Sequence, residues 1–264
     1  MRTSMWLFSA MLLATTLAAE EGGVPLDPVG DAKSAVESFI RDFKPGMDTS
    51  DMNELTGHVR ENSYGLTIAK DYRIVKPYIR WLSDTLHLPD RTRQNMLHTL
   101  GALGDVAAAK VVKGHATDTT MSPGVRRAAA IAICFLGNAE IGTGALKDLV
   151  LTKAMPLNTF TPWQFLGSGS RPVKLKTAAD EKALTRYICW LAERATDENT
   201  IAYSISYLLQ KDDESKAVAF RVAERALRSP DVYLLGQNDK RDLLSRLAAF
   251  GGERGKALAA QYEK

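Results

Sequence analysis

Residues 124–146 read GVRRAAAIAICFLGNAEIGTGAL. Apolar residues recur here at spacings of three and four, the period of an amphipathic helix and not of a strand. A first run, alanine-rich and ending at Leu136, stops at Gly137. Asn138 follows, and a second apolar run starts at Ala139. Gly with positive φ ends helices, and Asn or Asp begins them. The stretch therefore predicts two helices joined by a tight turn.

The same arrangement recurs outward from this stretch. Residues 91–112, RTRQNMLHTLGALGDVAAAKVV, align with it when Gly104 is set on Gly137, an offset of 33. Arg93 then meets Arg126, Leu100 meets Ile133, and Asp105 meets Asn138. A third copy is 240–258, KRDLLSRLAAFGGERGKAL, with Gly251 in the glycine slot and Lys240 in the arginine slot. A weaker copy spans 200–222, where Lys211-Asp212 replaces Gly-Asp. One such helix pair cannot bury its own apolar face, so pairs must stack on one another.

The run Val125-Arg126-Arg127-Ala128-Ala129-Ala130, with Ala132 and Leu136-Gly137-Asn138, resembles the HEAT-like repeats of the phycobilisome-lyase type. The resemblance is good over 91–150, fair over 198–264 and poor elsewhere. It implies an all-α fold, a right-handed α-solenoid of about five to six stacked helix pairs, and binding to another protein. It does not imply lyase chemistry, because one repeat architecture serves many functions.

Two regions depart from the period. Residues 28–87 are helical in pattern but match the repeat poorly, which predicts a divergent N-terminal helical cap on a repeat region spanning 88–264. Residues 151–177 carry Pro156, Pro162, Pro172 and the run Gly167-Ser168-Gly169-Ser170. This irregular insertion predicts a short first helix, a long loop, and a second helix from Thr177 to about Arg194. Thr177-Ala-Ala-Asp180 has the form of a capping box.

Residues 1–19, MRTSMWLFSAMLLATTLAA, have the anatomy of a secretory signal peptide: Arg2, an apolar stretch of about 13 residues, then small Ala18 and Ala19. The apolar stretch is shorter than the ~20 residues that span a bilayer as a helix. Residues 20–27 read as a flexible tether. The expected compartment is the periplasm or the exterior, with no stable membrane insertion after cleavage.

The chain has 264 residues, 45% hydrophobic and 25% charged, which suits a folded protein and excludes a disordered one. Its net charge is only +3, and about +2 once Arg2 is removed, too little to point to nucleic acid. Neither a serine-nucleophile elbow nor a phosphate loop is present, and no cofactor is expected. His58, His87, His98 and His115 match no metal motif; His98 and His115 fall on successive helices without a third ligand nearby. Cys134 and Cys189 lie on apolar stretches. A disulfide between them suits an oxidising compartment, but their predicted places in different helix layers favour two unpaired thiols.

The aligned Arg93, Arg126 and Lys240 would form a row along one edge. Either they face an anion or, as favoured, they pair with nearby carboxylates, Arg126 with Asp90 or Asp118. Phe160, Trp163 and Phe165 stand close together in the insertion, followed by Arg171, Lys174 and Lys176. Aromatics and arginine are enriched at binding hot spots, so these six residues are the candidate partner-binding set, with core filling as the competing role for the aromatics. The expected function is a scaffold or assembly factor that binds another protein of the cell envelope or periplasm, without catalysis. The alternatives are an enzyme or cofactor lyase on the same fold, and an envelope carbohydrate-binding module using Trp163 with Tyr203 or Tyr207.

Overall fold

Helix starts follow from short polar side chains placed just ahead of apolar periodic runs. In the computed structural model, which describes residues 27–84, 88–157, 175–230 and 236–263, Asp27 accepts from the amides of Val29 and Gly30 and opens α1 (Pro28–Asp42). Asp48 accepts from Ser50 N at 2.7 Å and opens α2 (Thr49–Glu61). Helices α3 (Ser63–Ala69), α4 (Val75–Ser83) and α5 (Asp90–Leu103) follow. A short 3-10 turn, Val106–Ala108, leads into α6 (Ala109–Thr117). Ser122 caps α7 (Pro123–Phe135), with proline at the position where a missing N–H does no harm.

Next come α8 (Ala139–Leu151), α9 (Ala178–Ala192), α10 (Glu198–Leu208), α11 (Asp213–Arg228), α12 (Gln237–Phe250) and α13 (Gly252–Tyr262). The described residues are all-helical, without a strand. Among them no helix is long and apolar enough to cross a membrane. The segment 1–19 and most of the tether lie outside the described residues.

The turns bear out part of the pattern. Gly104 and Gly137 have φ of +66° and +86°, the left-handed region where a Cβ is strained. In the C-terminal copy this role falls one residue later than aligned. Gly251 has φ −87°, and Gly252 carries the positive value, +59°. Asp105 and Asp212 accept from the amides of Ala107 and Ser215 as helix starters should. Asn138 makes no such bond. At Thr177 the N-cap half of the expected box forms: Thr177 Oγ1 accepts from Asp180 N at 3.1 Å, while the Asp180 carboxylate accepts from the Thr177 hydroxyl at 2.7 Å and not from its backbone amide.

Small residues set the helix spacing. Helix α7 packs against α5, α6 and α8. Its Ala128, Ala129, Ala130 and Ala132 are all buried. A Cβ on Gly142 of α8 would lie 2.4 Å from both Ala130 O and Cys134 Sγ. A side chain there is incompatible with the approach of α7 to α8.

Helix α5 meets α2, α3 and α4 on its other side, and α1 packs on α2 and α3. Contacts also run from α6 to α8, α8 to α9, α9 to α11 and α11 to α13. The core follows these rows, through Phe39, Leu66, Tyr78, Leu100, Ile133, Leu146, Ile188, Ile205 and Leu247.

The expected partners of Arg126 need correcting. Its guanidinium pairs with Asp148, at 2.7 Å, and not with Asp90 or Asp118. Positions 126 and 148 are symmetric about Gly137. The turn folds α8 back along α7, which brings the start of one beside the end of the other. Arg93 donates to Leu88 O at 3.0 Å and to Met121 Sδ at 3.0 Å. These two aligned cations are held within the fold.

Candidate functional site

Five of the six expected docking residues, Phe160, Trp163, Phe165, Arg171 and Lys174, lie outside the described residues. Lys176 is exposed and lies across two of the turns. Its Cβ and Cγ are the atoms nearest a Cβ built at Gly137, both at 3.5 Å, and its Nζ is 3.2 Å from one built at Gly104. The ammonium therefore sits beside the C-terminal end of α5, where a cation favours the helix dipole. Lys176 thus lies close to both turns.

A hollow of about 810 Å³ lies elsewhere, along α9 and α11. It arises from the register of RYICWLAER, residues 186–194. Tyr187, Ile188, Leu191 and Ala192 turn into the core, leaving Cys189, Trp190, Glu193 and Arg194 on the α9 wall. Ser215, Val218 and Arg221 of α11 form the opposite wall, and Lys211 and Asp212 the end.

Trp190 is the aromatic of this groove. Half-buried, it stacks on Tyr187 with ring centroids 5.9 Å apart. The Arg194 guanidinium lies over it at 4.8 Å and the Lys147 ammonium at 5.8 Å. Around it the charges are paired: Arg221 with Glu193, Lys211 with Glu181, and Arg186 with Glu140 of α8. The pairs leave the walls nearly neutral and hold long side chains upright around an apolar floor. Such exposed pairs contribute little stability, about 0–1 kcal/mol each. Their consequence is shape and charge selectivity.

Cys189 lines this groove as a free, half-buried thiol. Burial pushes its pKa up, and a hydrogen bond with Ser215 opposes this only in part. The thiol is protonated at neutral pH and a poor nucleophile. Cys134 is a free thiol fully buried between α7 and α8, donating to Ala130 O at 3.2 Å. Burial and the nearby Asp180 carboxylate push its pKa far up.

The described histidines occupy separate surroundings. His58 is exposed near the end of α2. His98 on α5 is largely enclosed, and burial together with Arg60, Arg127 and Arg91 pushes its pKa down to about 4. His115 lies on α6, near Arg93 and Asp118. His87 is outside the described residues. Among the described residues, no three His, Cys, Asp or Glu side chains are grouped to hold a metal ion.

Of the aromatics named for carbohydrate stacking, Trp163 lies outside the described residues and neither tyrosine is fully exposed. Tyr207 is buried, its hydroxyl 3.1 Å from Thr185 Oγ1, and Tyr203 is half-buried under Arg246. The α9–α11 groove was not anticipated from sequence. Comparison with protein-family models, with curated proteins and with solved structures finds no match.

Proposed function

We propose that this chain is an exported, right-handed α-solenoid of HEAT-like helix pairs that acts as a scaffold for another protein of the cell envelope. The run of contacts α6–α8–α9–α11–α13 supports the stacking, since it links each second helix to the next. The 33-residue offset between Gly104 and Gly137, both with positive φ, supports the repeat. Residues 1–19 support export.

The observation that carries the binding role is Trp190, half-buried beneath Arg194 and Lys147 in a groove of about 810 Å³. Trp and Arg are the side chains most enriched at binding hot spots. Here they sit on a row of helices with paired charges on either side. A partner segment laid in the groove covers the Trp190 face and exchanges ion pairs with Glu193 and Arg221. The partner is a protein of mixed charge, because the walls carry both signs.

Affinity capture with the mature chain tests this. Wild type should retain one envelope protein reproducibly. Arg194→Glu with Arg221→Glu should lose it while keeping the wild-type melting curve, since both side chains are exposed. Undiminished capture by that variant would refute the groove as the contact surface.

A further inference from the structure

Helix α5 lies between α2 and α7, and its register against both is fixed. Thr92 Oγ1 donates to Asn53 Oδ1 at 2.8 Å, and Asn95 Nδ2 donates to Thr56 Oγ1 at 3.2 Å, both across 39 positions. One turn further along, the same step brings Arg60 of α2 level with His98 of α5. On the other flank, a Cβ built at Gly124 would lie 2.9 Å from Gln94 Nε2, and one at Gly101 would lie 2.8 Å from the Ala132 Cα. His98 and Arg127 fall between these two crossings. Arg91 stands two turns before His98 on α5.

The charges that act on His98 are all of one sign. Arg60, Arg127 and Arg91 each disfavour its protonation, and no carboxylate is among them. The ring is only half-buried and makes no hydrogen bond among the described residues. Arg60 reaches Glu61 only at 3.8 Å, beyond hydrogen-bond range, and Arg91 is exposed without an ion pair among the described residues. Arg60 and Arg91 also line a hollow of about 620 Å³, which opens them to solution. The acids of that hollow are Asp42, Glu54 and Glu61. Asp42 is held by Arg41 at 2.8 Å, and Glu54 and Glu61 are exposed.

Arginine stays charged in a protein, so the cluster cannot relieve its repulsion by losing protons. An anion relieves it. It offsets the guanidinium charges together and lets the imidazole take a proton and donate. The donors come from three helices. A tetrahedral oxyanion, with several acceptor oxygens, satisfies them better than a planar carboxylate with two. Guanidinium forks match phosphate oxygens in pairs.

We propose that the cluster of Arg60, Arg91, His98 and Arg127 binds a phosphate group, held by guanidinium forks from α2, α5 and α7 and by the His98 imidazole. Free phosphate and a small phosphate monoester share this chemistry.

The test follows the His98 imidazole by nuclear magnetic resonance while the protein is titrated with acid, in inorganic phosphate and, at equal ionic strength, in chloride. In chloride the midpoint should lie at about 4. In saturating phosphate it should rise to about 5 or higher, the mark of an anion that binds the imidazolium roughly tenfold more tightly than the neutral ring. Arg60→Gln with Arg91→Gln should weaken phosphate binding by about tenfold or more. Glycerol phosphate binding at least as tightly as inorganic phosphate assigns the site to a monoester, and weaker binding assigns it to free phosphate. A His98 midpoint equal in phosphate and in chloride would overturn the proposal whether or not the variant folds, as would undiminished phosphate affinity in a folded variant.

Discussion

The carboxylate of Asp180 accepts a hydrogen bond from the Ala139 amide at 2.8 Å, joining the first turn of α9 to the first turn of α8. Asn138 leaves that amide without a side-chain cap, and a residue 41 positions away supplies it. The same carboxylate holds Thr177 through its other oxygen. One buried acid thus starts two helices, with its negative charge at both dipole-positive ends.

Removing this acid strands buried donors. Asp180→Ala should lower stability by about 1–3 kcal/mol, the penalty for unsatisfied buried groups. Asp180→Asn, which keeps one acceptor oxygen, should lose less. Denaturant melts of the two variants check the order. Equal stability of wild type and Asp180→Ala would contradict the shared cap.

Position 137 needs glycine for its backbone and position 142 for its neighbours. Gly137→Val places a β-branched residue at φ +86° and should lose roughly 1 kcal/mol or more. Gly142→Ala drives a methyl into Ala130 O and Cys134 Sγ and should lose about 1–3 kcal/mol. Gly144→Ala is the control: its Cβ meets nothing within 4 Å on the same helix, and should stabilise by about 0.5–1 kcal/mol. Chemical denaturation gives all three signs, and a destabilised Gly144→Ala would undo the packing argument.

Stability should fall with acid through His98. Its folded pKa, about 4, lies below the unfolded value near 6.5, so the unfolded chain binds the proton first. The destabilisation is absent above pH ~7, grows between pH ~6.5 and ~4, and then levels at up to about 3 kcal/mol. His98→Gln removes that slope. The difference between wild type and variant, followed by denaturant melts across this range, isolates it from the carboxylates that titrate lower. Parallel curves would show that the imidazole protonates freely in the fold.

Both cysteines should be found reduced. Alkylation of the protein under denaturing conditions without reductant should add two labels. In the native state Cys189 should react slowly and Cys134 not at all, because burial raises both thiols and encloses Cys134. An intact mass lacking two hydrogens and taking no label would mean that they pair.

Much of the fold was legible because its signals are local. Spacing of three and four marks helices, and glycine at 104 and 137 marks turns that only a residue without Cβ takes easily. Thr177 and Asp180 sit close enough in sequence for the Thr177 cap to be read directly. What was not legible depends on how helices lie against each other. Arg126 finds Asp148 because α8 folds back, and the Ala139 amide finds Asp180 because α9 docks there. The paired glycines 251 and 252 offer two candidates for one turn, and sequence does not choose between them. Trp190 was hidden in an apolar run, since neither composition nor spacing says which of four large residues faces outward.

The most direct measurement of the central claim is site-specific photo-crosslinking in the intact cell envelope. A photoreactive residue placed at position 194 or 221, on the two walls of the α9–α11 groove, should yield one adduct with the same envelope protein. The same residue at the exposed position 68, on α3, should yield none. An adduct from position 68 equal to that from 194 and 221, or no adduct from either groove wall, would contradict the groove as the surface through which this chain works.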